Sequence, residues 1–328
     1  MRALIKLIVF LILGLSLTIV FFGSYEADNL KISFNPENIS PNISDYLEKQ
    51  ESEFPNIIPG VEKRVIWAKS NKERTPFSIV YIHGFSASSE EIRPVPDRIA
   101  QSLEANLFFT RLTGHGRGQD AMGRTSIKDW MQDIAEAIEI GRRIGTQTIL
   151  IASSTGATIA TAAALDPKLA KYIHGLILIS PNYGINNMFA RMLTWPSARL
   201  WVPLIIGKTQ SSKIRNKLHE KYWATKYPTA ALFPMAALVK KVTKQDFSKI
   251  KIPTLFYFSY QDKVIDPFQI KKIAGNWGGQ NTIITVKMTL KDDQNSHIIA
   301  GNIVSPKQTD YAKNKMLEWI NATFALAP

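Results

Sequence analysis

From Val61 onward the chain alternates short β-branched and aromatic runs with stretches of helical periodicity, and no other feature limits its fold as much. Six runs read as strands: SIVYI at 78–82, NLFFT at 106–110, TILIA at 148–152, GLILIS at 175–180, TLFYFS at 254–259 and TIITVKM at 282–288. Runs so continuously apolar suit strands buried on both faces, which means an α/β architecture with a mostly parallel central sheet and helices packed above and below it. Residues 62–68 can add an antiparallel edge strand. Helices are expected over 90–103, 127–144, 155–165 and 310–324. Ser126, with Asp129 three residues on, announces the second of these as a variant of the capping box.

The interval 184–250 breaks this alternation. It mixes aromatic and Met side chains (Met188, Phe189, Trp195, Trp223, Phe233, Met235) with Lys and Arg, and is expected to be an inserted helical cap. Those side chains would serve equally as the core of a small helical layer or as the lining of an apolar pocket.

Ahead of the alternating region, residues 7–22 form a charge-free apolar run preceded by Arg2 and Lys6 and followed by Glu26 and Asp28. Sixteen helical residues reach about 24 Å, and a snorkelling Lys6 lets residues 3–5 add length, so residues 1–24 are expected to be a membrane anchor or, alternatively, a cleaved signal peptide. The charge asymmetry leaves the amino terminus in the cytoplasm and places the rest of the chain on the exported side, anchored or secreted. Residues 25–60, polar and with four prolines, read as a tether with a short helical piece near 43–51.

The 40 Lys+Arg against 27 Asp+Glu give +13, a field that favours anionic surfaces such as phospholipid headgroups. No nucleic-acid-binding motif is present and the basic residues are dispersed, so nucleic acid is not expected as a partner. With no cysteine, the chain cannot use disulfides, thiolate catalysis or Cys-ligated zinc.

Ala152-Ser153-Ser154-Thr155-Gly156 lies where a strand runs straight into a helix of small residues. A serine on such a turn presents its Oγ to solvent beside the positive end of the helix dipole, and the tightness of the turn demands small neighbours. The usual string is G-x-S-x-G, with Ala152 here replacing the first glycine. The turn His83-Gly84-Phe85 after the first central strand would bring the Phe85 amide to the same place, so Phe85 and Thr155 are expected to supply an oxyanion hole. A serine nucleophile needs a base. Of the five histidines, His83 and His115 belong to Gly-rich turns, His174 precedes a buried strand and His219 lies in the cap. His297, in the loop after the last strand, is therefore the expected base. Asp262, three residues past its strand, is the expected orienting carboxylate. Asp266 is the alternative, but Pro267 after it suggests a helix cap, and Asp292 and Asp293 are expected to be solvated loop charges.

These features together resemble the α/β-hydrolases, and within them the monoacylglycerol lipase and lysophospholipase-like branch. The resemblance runs from about Val61 to Phe324, giving one domain over 61–328 with the cap inserted in it. It is carried by His83-Gly84-Phe85, the Leu112-Thr113-Gly114-His115-Gly116-Arg117-Gly118 turn, Trp130 and Asp133, the Ser154 elbow, Asp262 and His297. The resemblance implies hydrolysis of esters of apolar or fatty acids by a Ser-His-Asp triad, with a lipid or small-molecule ester as partner and no metal or organic cofactor. The same scaffold also serves peptidases and thioesterases, and a catalytically silent binding protein is the reading outside enzymes.

Overall fold

The computed structural model describes residues 23–325 together with Arg2, Lys6, Phe10, Gly14 and Thr18. Most of the segment expected to be an anchor or signal peptide thus lies outside the described residues. Among the described residues no helix is long and apolar enough to cross a membrane.

In chain order the principal elements are α1 (Ile43–Ser52), β1 (Arg64–Ile66), β2 (Thr75–Ile82), α2 (Val95–Ser102), β3 (Asn106–Phe109), α3 (Ile127–Ile144), β4 (Gly145–Ser153), α4 (Thr155–Leu165) and β5 (Gly175–Ile179). The cap region comes next with α5 (Ala198–Ile206), β6 (Thr209–Ser211), α6 (Lys217–Tyr222), β7 (Lys226–Pro228) and α7 (Leu232–Val242). The fold closes with β8 (Thr254–Phe258), α8 (Pro267–Gly275), β9 (Asn281–Thr285) and α9 (Thr309–Thr323).

Seven of these strands form one sheet in the order β1-β3-β2-β4-β5-β8-β9. All neighbours pair in parallel except the edge strand β1, which runs antiparallel to β3 as its position ahead of the alternating region suggested. The period of two along β2 sorts its side chains between two cores. Val80 and Ile82 face a cluster shared with α1, α3, α4 and α8, whereas Ile79 and Tyr81 face one shared with α2 and α9. Ser126 closes the expected capping box at the start of α3: its side chain accepts from the Asp129 amide, and Asp129 accepts from the Ser126 amide.

Three segments differ from expectation. The helix expected over 90–103 begins only at Val95, since Pro94 disfavours helical backbone in the residue before it; within the preceding turn Glu91 points inward and accepts hydrogen bonds from the Tyr81 hydroxyl and the Gly84 amide. The cap is not wholly helical, since β6 and β7 form a two-stranded antiparallel ribbon within it. Residues 25–60 do more than link, for Ile39, Ile43 and Leu47 are buried in the larger core. Glu51, at the end of α1, pairs bidentately with Arg111 through contacts of 2.7 and 2.8 Å. That pair is buried, and Arg111 holds the Glu51 carboxyl below its ordinary pKa against the opposing effect of burial.

Candidate active site

Ser154 sits at the junction of β4 and α4 with φ 50° and ψ −118°, a backbone conformation that non-glycine residues rarely adopt. Such strain persists only where the surroundings over-determine it. Here the Ser154 amide donates to Ile179 O at 2.9 Å, and its carbonyl accepts from the amides of Ala157 and Asn182. Gly156 allows the close approach of helix to sheet: a Cβ there would lie 2.4 Å from His83 O and 2.6 Å from Ile82 O. Ala152, in place of the usual first glycine, is fully buried and paired with Ile82, so its methyl group fits.

His297 comes to this serine on the loop after β9. Its Nε2 is 2.9 Å from Ser154 Oγ, and its Nδ1 is 2.7 Å from Asp262 Oδ2. The other Asp262 oxygen accepts from the amides of Val264 and Ile265, at 2.8 and 3.0 Å, which fixes the carboxylate in the turn after β8. The three side chains nominated from sequence therefore form one continuous hydrogen-bonded line. Asp266 instead accepts from the Phe268 amide and caps α8.

The five histidines divide by environment. Burial lowers the pKa of His83, His115, His174 and His219, in the case of His115 to about 4. Each also has a local partner: His83 Nε2 accepts from the Leu112 amide, His174 Nδ1 accepts from the Thr148 amide, His115 Nδ1 lies 3.2 Å from Thr113 O, and His219 stacks on Trp223. For His297, burial also acts to lower the pKa, but the charge of Asp262 and its hydrogen bond, with smaller contributions from Glu91 and Asp293, outweigh it and raise the value above 6.5. A neutral imidazole bonded to a carboxylate through Nδ1–H presents the free Nε2 lone pair to its other neighbour, here a hydroxyl.

Asp292 and Asp293 are not solvated loop charges: both are buried. One Asp293 oxygen accepts from the amides of His297 and Ile298, while the other pairs with Arg215 of the cap. Asp292 accepts from Thr289 and Gln308. Their sequence, Lys-Asp-Asp-Gln-Asn-Ser, looks like any polar surface turn, and only the tertiary fold shows that these carboxylates organise the backbone that carries His297.

Glu91 escaped the sequence reading altogether. Its Oε2 lies 2.7 Å from the Tyr81 hydroxyl and 2.8 Å from the Gly84 amide, and it shares a small cavity with Ser153, Ser154 and His297. Among the described residues no cation pairs with it, and burial raises its pKa. Gly84 is pressed between Glu91 and the serine, since a Cβ on it would come within 3.1 Å of Ser154 Cβ. Phe85 is next in the chain, its ring edge-on to Tyr227 of the cap, and Ser86 O accepts from the cap amide of Ala224 at 2.7 Å. Thr155 is the first residue of α4, so its amide is one of the four that a helix leaves without an intrahelical partner. Trp130 and Asp133 hold the Thr113 turn, through contacts of 3.2 Å from the indole to Thr113 O and 2.6 Å from the Thr113 amide to Asp133.

Comparison with known proteins agrees with this fold. The family model described as serine aminopeptidase, S33 (Hydrolase_4) matches residues 75–288. A thermostable monoacylglycerol lipase from Bacillus sp. (strain H-257) is 26% identical over 199 residues, which cover 60% of this chain and 74% of the relative. Among solved structures, one from a study of LipS and LipT, two metagenome-derived lipolytic enzymes, superposes with a TM-score of 0.65 at 16% identity, covering 81% of this chain and 99% of its own. The monoacylglycerol lipase of Paleococcus ferrophilus gives a TM-score of 0.58 at 16% identity over 80% of this chain and 99% of its own. A soluble variant of the Saccharomyces cerevisiae monoglyceride lipase gives 0.57 at 13% identity over 82% and 98% respectively. At such identities the structural matches speak for the fold alone.

Proposed function

Because the chain belongs to the Hydrolase_4 family of α/β-hydrolases, whose lipase- and esterase-like members are serine hydrolases, we propose that it cleaves carboxylic esters of apolar or fatty acyl groups, with Ser154 as nucleophile. The observation that carries this reading is the line Ser154–His297–Asp262, with contacts of 2.9 and 2.7 Å. His297 Nε2 takes the hydroxyl proton as Oγ attacks the acyl carbonyl, and Asp262 holds the imidazole tautomer and stabilises the imidazolium. The amides of Phe85 and Thr155 receive the developing oxyanion, a contribution of about 2.7–4 kcal/mol per donor in comparable sites. His297 then protonates the leaving alcohol, and water, activated by the same imidazole, releases the acid.

The family description names a peptidase, but the cap favours an ester of an apolar acid. The 26% identical relative is a monoacylglycerol lipase, and residues 184–250 are rich in aromatic and aliphatic side chains, with only Glu220 and Asp246 as acids. The apolar amino-terminal run further supports a lipid ester as substrate, with the catalytic domain held at a membrane on its exported side.

Ser154→Ala tests the reading directly. It abolishes turnover of short p-nitrophenyl esters and labelling by a fluorophosphonate probe; undiminished turnover in that variant would refute the assignment. A substrate panel of lysophospholipid, monoacylglycerol, acyl thioester and aminoacyl amide distinguishes the ester reading from thioesterase and peptidase activity.

A further inference from the structure

One stretch of the cap touches both loops that serve Ser154. Arg215, between β6 and α6, pairs with Asp293 in the loop that carries His297. Its neighbour Asn216 accepts from the His219 amide, which caps α6, and donates from Nδ2 to Ile303 O at 2.8 Å, further along the same loop. Trp223, at the other end of α6, is buried with Ala87 and Val304. The Ala224 amide donates to Ser86 O at 2.7 Å, one residue past Phe85. Residues 215–224 thus reach from the histidine loop to the oxyanion turn, and a helix fixed at both ends leaves Arg215 little freedom to wander.

Asp293 is where this contact reaches the base. Its Oδ2 accepts from the amides of His297 and Ile298 at 3.0 and 2.9 Å, its Oδ1 accepts from the Asn295 amide at 3.0 Å, and its carbonyl accepts from the Ser296 amide at 2.7 Å. Ser296, immediately before His297, is held at φ 53°, a left-handed conformation that a serine keeps only where its surroundings impose it. The bonds to Asp293 close that turn. A carboxylate with three amide donors stays ionised, yet one whose side chain is 1% exposed also needs a cation. Among the described residues Arg215 is the one ion-pair partner of Asp293.

We propose that Arg215 is a positioning residue for His297, acting through Asp293: the guanidinium holds the carboxylate, the carboxylate holds the strained turn, and the turn aims Nε2 at Ser154 Oγ. This rests on the reading of His297 as the general base. The charged groups that face the imidazole are Asp262 from the turn after β8, Glu91 from the loop after β2 and Asp293 from its own loop, with Arg215 and His219 of the cap beside Asp293. Asp293 favours the imidazolium, and the positive charge of Arg215 offsets it. A pair that only fastened the cap would, when broken, loosen substrate binding and raise KM, whereas a pair that aims the base lowers kcat.

The test uses the full chain with Arg215→Gln, with Asp293→Asn and with both, each measured for kcat and KM on a p-nitrophenyl ester across pH. With kcat taken on the high-pH plateau, Arg215→Gln lowers it on the order of 10²-fold, the cost of misplacing a catalytic group by about 1 Å, while KM stays near the wild-type value. The inflection in kcat/KM moves up in Arg215→Gln, where the Asp293 charge is no longer offset, and down in Asp293→Asn, where that charge is gone. Adding Arg215→Gln to Asp293→Asn lowers kcat no further, because the one acts through the other. Wild-type kcat in Arg215→Gln overturns the proposal, as does a rise in KM alone or a loss in the double variant that is the product of the two single losses. Should Arg215→Gln fail to fold, Asp293→Asn decides, and wild-type kcat there overturns the proposal equally. If the ester-hydrolase reading itself fails, the wild type neither turns over the ester nor takes a fluorophosphonate on Ser154, and this inference falls with it; if this inference alone fails, the wild type does both and Arg215→Gln matches it.

Discussion

Removing the Glu91 side chain tests how the site is held together. In Glu91→Ala the Gly84 amide loses its acceptor in a fully buried setting, while the Tyr81 hydroxyl keeps Ser153 Oγ at 3.2 Å as a substitute. One orphaned donor costs about 1–3 kcal/mol. Relief from burying an unpaired carboxyl offsets part of this, so the unfolding free energy falls by about 1–2 kcal/mol and Tm by a few degrees. Turnover suffers more, because Gly84 precedes Phe85 and its release lets the proposed oxyanion donor drift. Losing one such donor corresponds to a fall on the order of 10²–10³ in kcat. Glu91→Gln keeps a carbonyl oxygen for the Gly84 amide and retains most of the turnover. The measurements are kcat and KM on a p-nitrophenyl ester beside urea unfolding for both variants. Wild-type kcat in Glu91→Ala, or equal damage by Gln and Ala, would show that the bond to Gly84 does not govern the oxyanion turn.

Two further expectations come from the charges. Because His297 is raised above 6.5, kcat/KM climbs with pH through an inflection above that value, the imidazole acting as a base only when neutral. In stability the sign is opposite: the raised pKa gives a contribution fully present below 6.5 and lost as pH rises through the folded value. Asp262→Asn moves the inflection down and lowers turnover on the order of 10⁴-fold, as loss of the correct tautomer does in related triads; an unmoved inflection would deny Asp262 this role. Arg111→Ala strands the buried Glu51 carboxylate and destabilises the fold by about 3–5 kcal/mol, read by chemical denaturation. Since the Glu51 pKa is depressed, its stabilisation is present above 4.5 and lost as pH falls through the folded value, so the wild type loses this advantage over Arg111→Ala in acid.

The sheet was legible because its central strands are buried on both faces, and runs such as ILIA at 149–152 and GLILI at 175–179 have no polar residue to confuse the period. The serine turn was legible for a related reason: few uses other than a sharp strand-to-helix junction combine a buried strand, a small-x-Ser-x-Gly string and an Ala-rich helix. Asp292 and Asp293 were misread because hydrogen bonds to backbone amides leave no mark on composition. Glu91 stayed hidden because its partners, Tyr81 and Gly84, meet it only after the loop beyond β2 folds back on the strand. The cap was legible as an interruption and in its mixture of residues, but Trp223 and Phe233 turn inward while Met188 and Phe189 face out, a division that depends on packing and not on residue type.

A serine held at φ 50° is a standing burden on folding, on the order of 1–3 kcal/mol, that glycine at the same position would escape. Selection for heat resistance alone would thus tend to discard the one side chain on which turnover depends. A library screened only for soluble, robust protein should drift toward inactivity at position 154, and any campaign to harden this chain must screen for hydrolysis in the same round.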